Sequence, residues 1–532
     1  MTDEMSKAVS LETAVEMFRA FKEADTLEKT GLVWDAEQGR YTNSSIVKWL
    51  DKSADGLVYG VQIPKYSANQ TTEALKTDAN AGLVLEASTN TKAGRNDYEG
   101  RKLFACPRVN GGVDKDGMPY VTAIEGIDSR FDSTAANTWA LTPLYYVKHT
   151  ETNEYYLNQY TDSPHDGFEA CFGAFTDTHA HRPYILRACY MDSGSFNSVS
   201  GSVPASATAE GVEGYSAAIG TASRLWEEDV ARGGTDGLTH LTAADVAYQL
   251  EFMQLMLGVK APKTAAHGCL GLEARTTTTQ DSEAGYIVVD KAFADKLPLG
   301  CCLSLGAIPA DGSYQAASRY SKGAFVIVEA VEDIDDANTK ISISGDVNAI
   351  SAGVGVGTLW WRNGSCDNVL GTFGAPYEEG LTDGKVPFKF QNCETMLGLE
   401  ELVSNVYSQA GSMVIASSIP LGTGDITWST VPENFRDSGS HTPYYIADYA
   451  FGGSLCMPRP AGGSSTTGYC VEYRPEGWSY NRGYNPLAVN GSFADGADIA
   501  GIGSVRADLR IAMSFGPLTG SRISAIGRSE VV

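Results

Sequence analysis

The sequence predicts an α+β chain that is mainly β, and three observations carry that expectation. Glycine supplies 57 of the 532 residues, about one in nine against a usual ~7 %, with no collagen-like period. Aromatic and β-branched residues recur in short runs punctuated by Asp, Asn, Gly and Pro, the chemistry of strands and tight turns. Helical periodicity is confined to a few stretches. With 43 % apolar and only 20 % charged residues, the chain can fill a core, which argues against wholesale disorder.

Taken in order, residues 1–100 read as an attachment region with one helix and otherwise extended text. Ser10 is a suitable N-cap, and Leu11, Val15, Phe18 and Phe21 then recur at three- and four-residue steps, giving a helix with one apolar face. That face can pack on its own chain or on other copies. Alternation over Leu57–Ile63, stopped by Pro64, predicts a strand.

Residues 101–285 form the next region. The runs LFACPRV, YVTAIEGI, ALTPLYYVKH, EYYLNQY and RPYILRACY predict strands, and residues 193–215 a Ser/Gly-rich loop. A helix is expected over Leu241–Val259, opened by Thr242 with Asp245 three residues on, a capping-box pattern. Because that helix is apolar on more than one face, it should be enclosed. Residues 286–352, with YIVVD, KLPLGCCLSLGAI, GAFVIVEAVEDI and TKISIS, are spaced as an inserted small β-barrel. Residues 353–532 are aromatic and Gly-rich, with a short helix expected near Glu394–Asn405.

The order of motifs in that last region carries a resemblance. Leu359-Trp360-Trp361-Arg362-Asn363-Gly364-Ser365 is followed by Gly371 through Pro376, Pro387 through Phe390, Glu394 and Gly398, Gly483-Tyr484-Asn485, and Leu509 through Ala512. This resembles the C-type-lectin-like fold shared by formylglycine-generating enzymes and the variable proteins of diversity-generating retroelements. Thr142 through Val147, Arg182 through Tyr190, the Ser193–Pro204 loop and the helix up to Gly258 are similar to structural proteins of tailed phages and prophages of gut bacteria. Together the two resemblances imply a virion protein, made in the host cytoplasm and carried on a tail fibre or similar appendage, that attaches to the host. The lectin-like domain would comprise residues 101–285 and 353–532 around the inserted barrel.

Within residues 463–500, Tyr469, Tyr473, Trp478, Tyr480, Tyr484, Asn485, Asn490 and Asp495 interleave with glycines. Such a set gives rigid amphipathic contact area at low entropy cost, with short polar groups for adaptable hydrogen bonds. The resemblance places the ligand-contacting segment there, open to diversification by a retroelement. Trp360, Trp361 and Arg362 read instead as structural, since a Trp pair on a strand usually fills a core.

Charge and motif spacing weigh on the other classes. Lys+Arg 40 against Asp+Glu 65 leaves −25, the wrong sign for nucleic acid or an anionic membrane. No apolar run reaches the ~18 residues of a membrane span, and the N-terminal text lacks a secretory pattern. Ten cysteines are too sparse for a disulfide scaffold, and no CxxC-type zinc framework is present. His179 and His181, near His165, Asp166 and Asp177, read as loop histidines, and Glu329–Asp336 as a charged turn without a calcium-loop pattern. No GxSxG elbow occurs, and the Glu-Pro-Asn, Gln-Pro-Asp and Trp-Asn-Asp stretches of calcium-using lectins are missing. The expectation is a non-enzymatic, metal-free and cofactor-free binder of a bacterial surface protein or glycan. It would assemble with other virion proteins and with itself, a trimer being favoured because repeated weak sites gain avidity. A purely structural virion role, as capsid decoration or baseplate scaffold, and a glycan depolymerase using paired carboxylates remain as alternatives.

Overall fold

The computed structural model describes residues 28–65, 73–88, 93–114, 116–174, 181–191, 197–200, 238–260, 275–297, 301–306, 324–344, 348–361, 373–374 and 395–400. Beyond these it describes 407–416, 427–429, 444–452, 455–460, 469–471, 486–489, 505–506 and 519–525. The first part of the chain supplies β1 (Trp34–Asp35), β2 (Arg40–Tyr41), α1 (Asn43–Asp51), β3 (Val58–Pro64), β4 (Leu75–Asp78), β5 (Arg108–Val113), β6 (Pro119–Ile124) and β7 (Thr138–Pro143). There follow β8 (Tyr146–Glu151), β9 (Tyr155–Thr161), β10 (Glu169–Ala170), β11 (Tyr184–Ala188), β12 (Thr239–His240) and α2 (Ala243–Leu257). Next come β13 (Arg275–Thr277), β14 (Tyr286–Asp290), α3 (Lys291–Ala294), β15 (Cys301–Gly306), β16 (Ala324–Asp333), β17 (Asn338–Ser344) and β18 (Gly355–Trp361).

The remaining strands are short and numerous. They are β19 (Phe373–Gly374), β20 (Thr395–Met396), β21 (Leu399–Glu400), β22 (Tyr407–Ala416), β23 (Thr427–Ser429) and β24 (Tyr444–Gly452). After them lie β25 (Leu455–Pro460), β26 (Tyr469–Val471), β27 (Pro486–Val489), β28 (Val505–Arg506), β29 (Thr519–Ser521) and β30 (Ile523–Ser524). The described chain is therefore α+β and mainly β, as its composition predicts.

An eight-stranded sheet in the order β1-β2-β6-β5-β7-β11-β30-β12 forms the centre of the body, beside a five-stranded sheet β10-β8-β9-β3-β4. Both sheets mix strands from before and after residue 100: Tyr41 of β2 pairs with Val121 of β6, and β3 pairs along its length with β9. The described residues between 28 and 100 are thus woven into the body, and residues 10–27 of the helix expected from Ser10 lie outside the described residues. The central strands β7 and β11 are buried on both faces. On one face Trp139, Leu141, Tyr184 and Leu186 meet Ile46 and Leu50 of α1. On the other, Ala140 and Ile185 share a core with α2 and with Tyr59, Val61 and Ile63 of β3.

The sequence reading missed α1. Its signal is Ile46, Trp49 and Leu50 at helical steps behind Thr42, within otherwise polar text. By contrast, α2 forms as expected. Thr242 Oγ1 accepts from the Asp245 amide at 3.3 Å and Asp245 Oδ2 accepts from the Thr242 amide at 3.1 Å, a closed capping box. At the other end Gly258, at φ +68°, supplies the left-handed stop. Lys76 Nζ and Asn80 Nδ2 donate to the terminal carbonyls of Met256 and Leu255 at 2.5 and 2.8 Å. Even its polar Gln249, Glu251 and Gln254 are buried, so the helix is enclosed.

The expected barrel is not closed. The described strands between Arg275 and Trp361 form an open six-stranded antiparallel sheet, β13-β18-β15-β16-β17-β14, wider at both ends than the predicted insertion. Ile287, Val289, Phe293, Leu303, Leu305, Val326, Val328, Ile341, Ile343 and Val356 are buried in it. Its edges approach each other: the Thr279 amide donates to Val288 O at 2.8 Å and Thr276 Oγ1 donates to Asp290. Among the described residues β13 pairs with β18 and β14 with β17, and no ladder joins β13 to β14. Trp360 and Trp361, read as opening the lectin-like part, lie on β18, paired with Cys302 and Cys301.

A second correction falls at the helix expected near Glu394–Asn405. Residues 395–400 are a buried hairpin, β20 against β21, because Leu397 and Gly398 both take positive φ, +51° and +77°. Two consecutive left-handed residues make the tight turn of a hairpin and cannot continue an α-helix.

Candidate functional site

The described strands around the Tyr/Asn/Gly-rich segment form a framework for it. Tyr469 opens β26, which pairs antiparallel with β24 through Tyr445. β27 pairs with β22, and β28 pairs with β27 through Ala488–Arg506 and Val489–Val505. β26 also lies against β28. The connection 472–485 therefore enters β27 at Pro486 and the connection 490–504 leaves it after Val489, roughly 10 Å apart at ~3.3 Å per residue. Of the eight predicted contact residues, Tyr469 has its backbone on β26. Tyr473, Trp478, Tyr480, Tyr484, Asn485, Asn490 and Asp495 lie outside the described residues, in the two connections.

This framework is tied to the body at several points. β22 runs parallel to β29, and two residues later β30 enters the eight-stranded sheet between β11 and β12. Between them the buried Arg522 donates from Nη1 to Ala188 O and Cys189 O at 2.8 and 2.9 Å, and from Nη2 to Glu400 O. α2 packs against β3, β22 and β25.

Beneath the framework the helix carries charge into the core. Arg187 Nη1 meets Asp245 Oδ1 at 2.6 Å, both side chains 3 % exposed, and the guanidinium stacks 3.9 Å from the Tyr248 ring. Burial disfavours the Arg187 charge, but Asp245 together with Tyr145, Tyr248 and Cys171 outweighs it, so the group stays protonated. Burial pushes the Cys171 thiol up to about 11 and the Cys106 thiol up to about 12. Neither has the thiolate character of a nucleophile. The Arg187–Asp245 pair is structural in arrangement, each side chain meeting its partner inside the fold.

One surface cluster escaped the sequence reading, because its members are separated by up to 96 positions. Arg130 lies 3.8 Å over the ring of Trp34, which packs edge-on against Tyr41 with centroids 5.2 Å apart. Asp128 fixes the set: its carboxylate accepts from Tyr41 Oη at 2.8 Å and from Arg130 Nε and Nη2 at 2.9 and 2.5 Å. Burial alone would raise the Asp128 pKa, but these hydrogen bonds hold it below the usual carboxylate value. Val33 and Trp34 beside it are 54 % and 37 % exposed. Trp, Tyr and Arg are the residues that dominate interface energetics.

Of the histidines read as loop residues, His179 lies outside the described residues, whereas the side chain of His149, elsewhere, is buried on β8 with Nε2 3.9 Å from Glu251 Oε1. His165 Nε2 lies 3.1 Å from Gly56 O, and His181 is exposed. Among the described residues no group of three or more His, Cys, Asp and Glu gathers as metal ligands. No protein-family model matches the chain, and no curated protein matches it.

Proposed function

We propose that this chain is a virion protein of a tailed phage or prophage, mounted on a tail fibre or similar appendage, that attaches non-covalently to a bacterial surface ligand. The reading rests on one observation above all: residues 463–500 concentrate Tyr, Trp, Asn, Asp and Gly in connections rooted on the adjoining strands β26, β27 and β28. Aromatic anchors supply most of the contact energy, and short amides and hydroxyls supply adaptable hydrogen bonds. A C-type-lectin-like arrangement of this region, open to retroelement diversification, is part of the proposal, as is attachment to the particle through residues 1–100. Several copies on one appendage, a trimer above all, would turn modest single-site affinity into firm adsorption.

The test is Trp478→Ala combined with Tyr480→Ala. If both are anchors worth ~2 kcal/mol or more, host adsorption falls by at least roughly 30-fold even with partial coupling, while the thermal melt stays within about 2 °C of the parent. Unchanged adsorption refutes the site, and a large fall in melting temperature reassigns the two residues to the core.

A further inference from the structure

We propose that the apolar stripe Leu11, Val15, Phe18 and Phe21 is a contact surface for a second copy of this chain, carried on a helix whose last turn is fixed to the body with the stripe facing away from it. The described chain begins in that last turn. Residues 28–30 are helical, and Gly31 at φ +73° ends them, its amide donating to Glu28 O at 3.3 Å. This is the left-handed glycine stop of a helix C-terminus. Lys52, the residue that closes α1, donates from Nζ to Lys29 O and Thr30 O at 3.1 and 2.7 Å, a cation placed where the helix dipole favours one. Just past the stop, Leu32 packs against the core cluster that holds Ile46 and Leu50 of α1, and the Val33 amide donates to Ser45 Oγ at 3.0 Å. The helix end is therefore held on both sides of Gly31.

The fixed end sets where the stripe points. In a stop of this kind the residue after the glycine packs on the residue four before it. Here those are Leu32 and Leu27, so the Leu27 side of the helix is the body side. Residues 10–27 lie outside the described residues, and the phase is carried back along the sequence at about 100° per residue. Ala20 and Ala24 share the side of Leu27, whereas Leu11, Val15, Phe18 and Phe21 centre roughly 180° from it. On the stripe's own side the positions nearer the body are the charged Lys22, Asp25 and Lys29. The apolar patch thus starts about 10 Å from Glu28 at ~1.5 Å per residue. A second copy suits it, because steps of four, three and three residues are those at which identical helices interleave their side chains. Contact over about three turns stays below the ~1,200 Å² of a standard interface, so the copies should part on dilution.

Sedimentation velocity of the full chain over a dilution series from about 100 μM tests this. The parent is expected to be oligomeric at the top of the series and monomeric at the bottom. Phe18→Glu with Phe21→Glu is expected to weaken association at least about 100-fold, since two buried aromatic contacts are lost. Its thermal melt, measured by fluorescence at a dilution where the parent is monomeric, is expected to match the parent's. Phe18→Leu with Phe21→Leu is expected to stay associated. A parent that is monomeric throughout, or a double Glu variant that keeps the parent's mass, overturns the proposal. So does a double Glu variant whose melt at that dilution falls by several degrees, because the stripe then packs on its own body.

Discussion

Replacing Asp245 by Asn removes one charge from the most enclosed ion pair of the body and leaves its shape in place. The parent geometry has the Arg187 guanidinium 2.6 Å from the carboxylate, with both side chains 3 % exposed. Breaking such a pair from one side strands a buried charge and costs about 3–5 kcal/mol. The side-chain amide oxygen of the introduced asparagine can still accept from the Thr242 amide, so most of the ~1 kcal/mol of the helix cap is retained. Adding Arg187→Met removes the stranded charge. The double variant should therefore recover to within about 1–2 kcal/mol of the parent, the remainder being the lost stacking on Tyr248. Urea unfolding followed by tryptophan fluorescence, with the fully buried Trp139 reporting on the body, reads the shifts as changes of midpoint at constant slope. A single variant that costs under about 1 kcal/mol, or a double variant that costs the sum of the two singles, would refute the reasoning.

Two further outcomes follow from the body and its surface. A chain ending at Leu518 loses β29, β30 and Arg522, which leaves β11 with an open edge and β12 without its partner. It is expected to be insoluble or to lack near-ultraviolet circular dichroism, and a native-like cooperative melt would contradict this. In the surface cluster, Asp128 has its folded pKa held below the unfolded value of about 4. Its contribution to stability is complete above that value and is lost as pH falls through the lower folded pKa. The melting temperature of Asp128→Asn should accordingly fall less steeply below about pH 4 than that of the parent, and identical acid slopes would exclude the assigned role.

Local chemistry made some elements legible in the sequence and long-range pairing hid others. Thr242 with Asp245, followed by an all-round apolar run, announces a capped and enclosed helix because both signals lie within one segment. Val58–Ile63 is equally plain, since alternation and a closing proline are local. The two-residue strands β1 and β2 are too short for any periodicity, and the apolar stripe of α1 is interrupted by polar residues. At Leu397 the sequence points the wrong way: a Glu-x-x-x-Gly stretch with leucines favours a helix, whereas the structure turns at Leu397-Gly398 and buries Met396, Leu397 and Leu399 in the core. The pairing of β13 with β18 joins residues about 80 positions apart, which no local spacing announces. The surface cluster of Trp34, Tyr41, Asp128 and Arg130 has no local spacing, so it emerges only once β1 and β2 are laid beside β6. For the proposed contact residues, composition marks the segment, and the framework strands add where its connections begin and end.

The position of β30 also has a kinetic meaning. Arg187 and Ser524 are partners, yet translation at ~5–20 residues per second separates them by roughly 20–70 s. During that interval β11 is an open edge in a half-built sheet, the state most apt to pair with the wrong strand. Correct folding then depends on keeping that edge sheltered until its late partner arrives, and any interruption of synthesis in the intervening stretch produces a chain that cannot close.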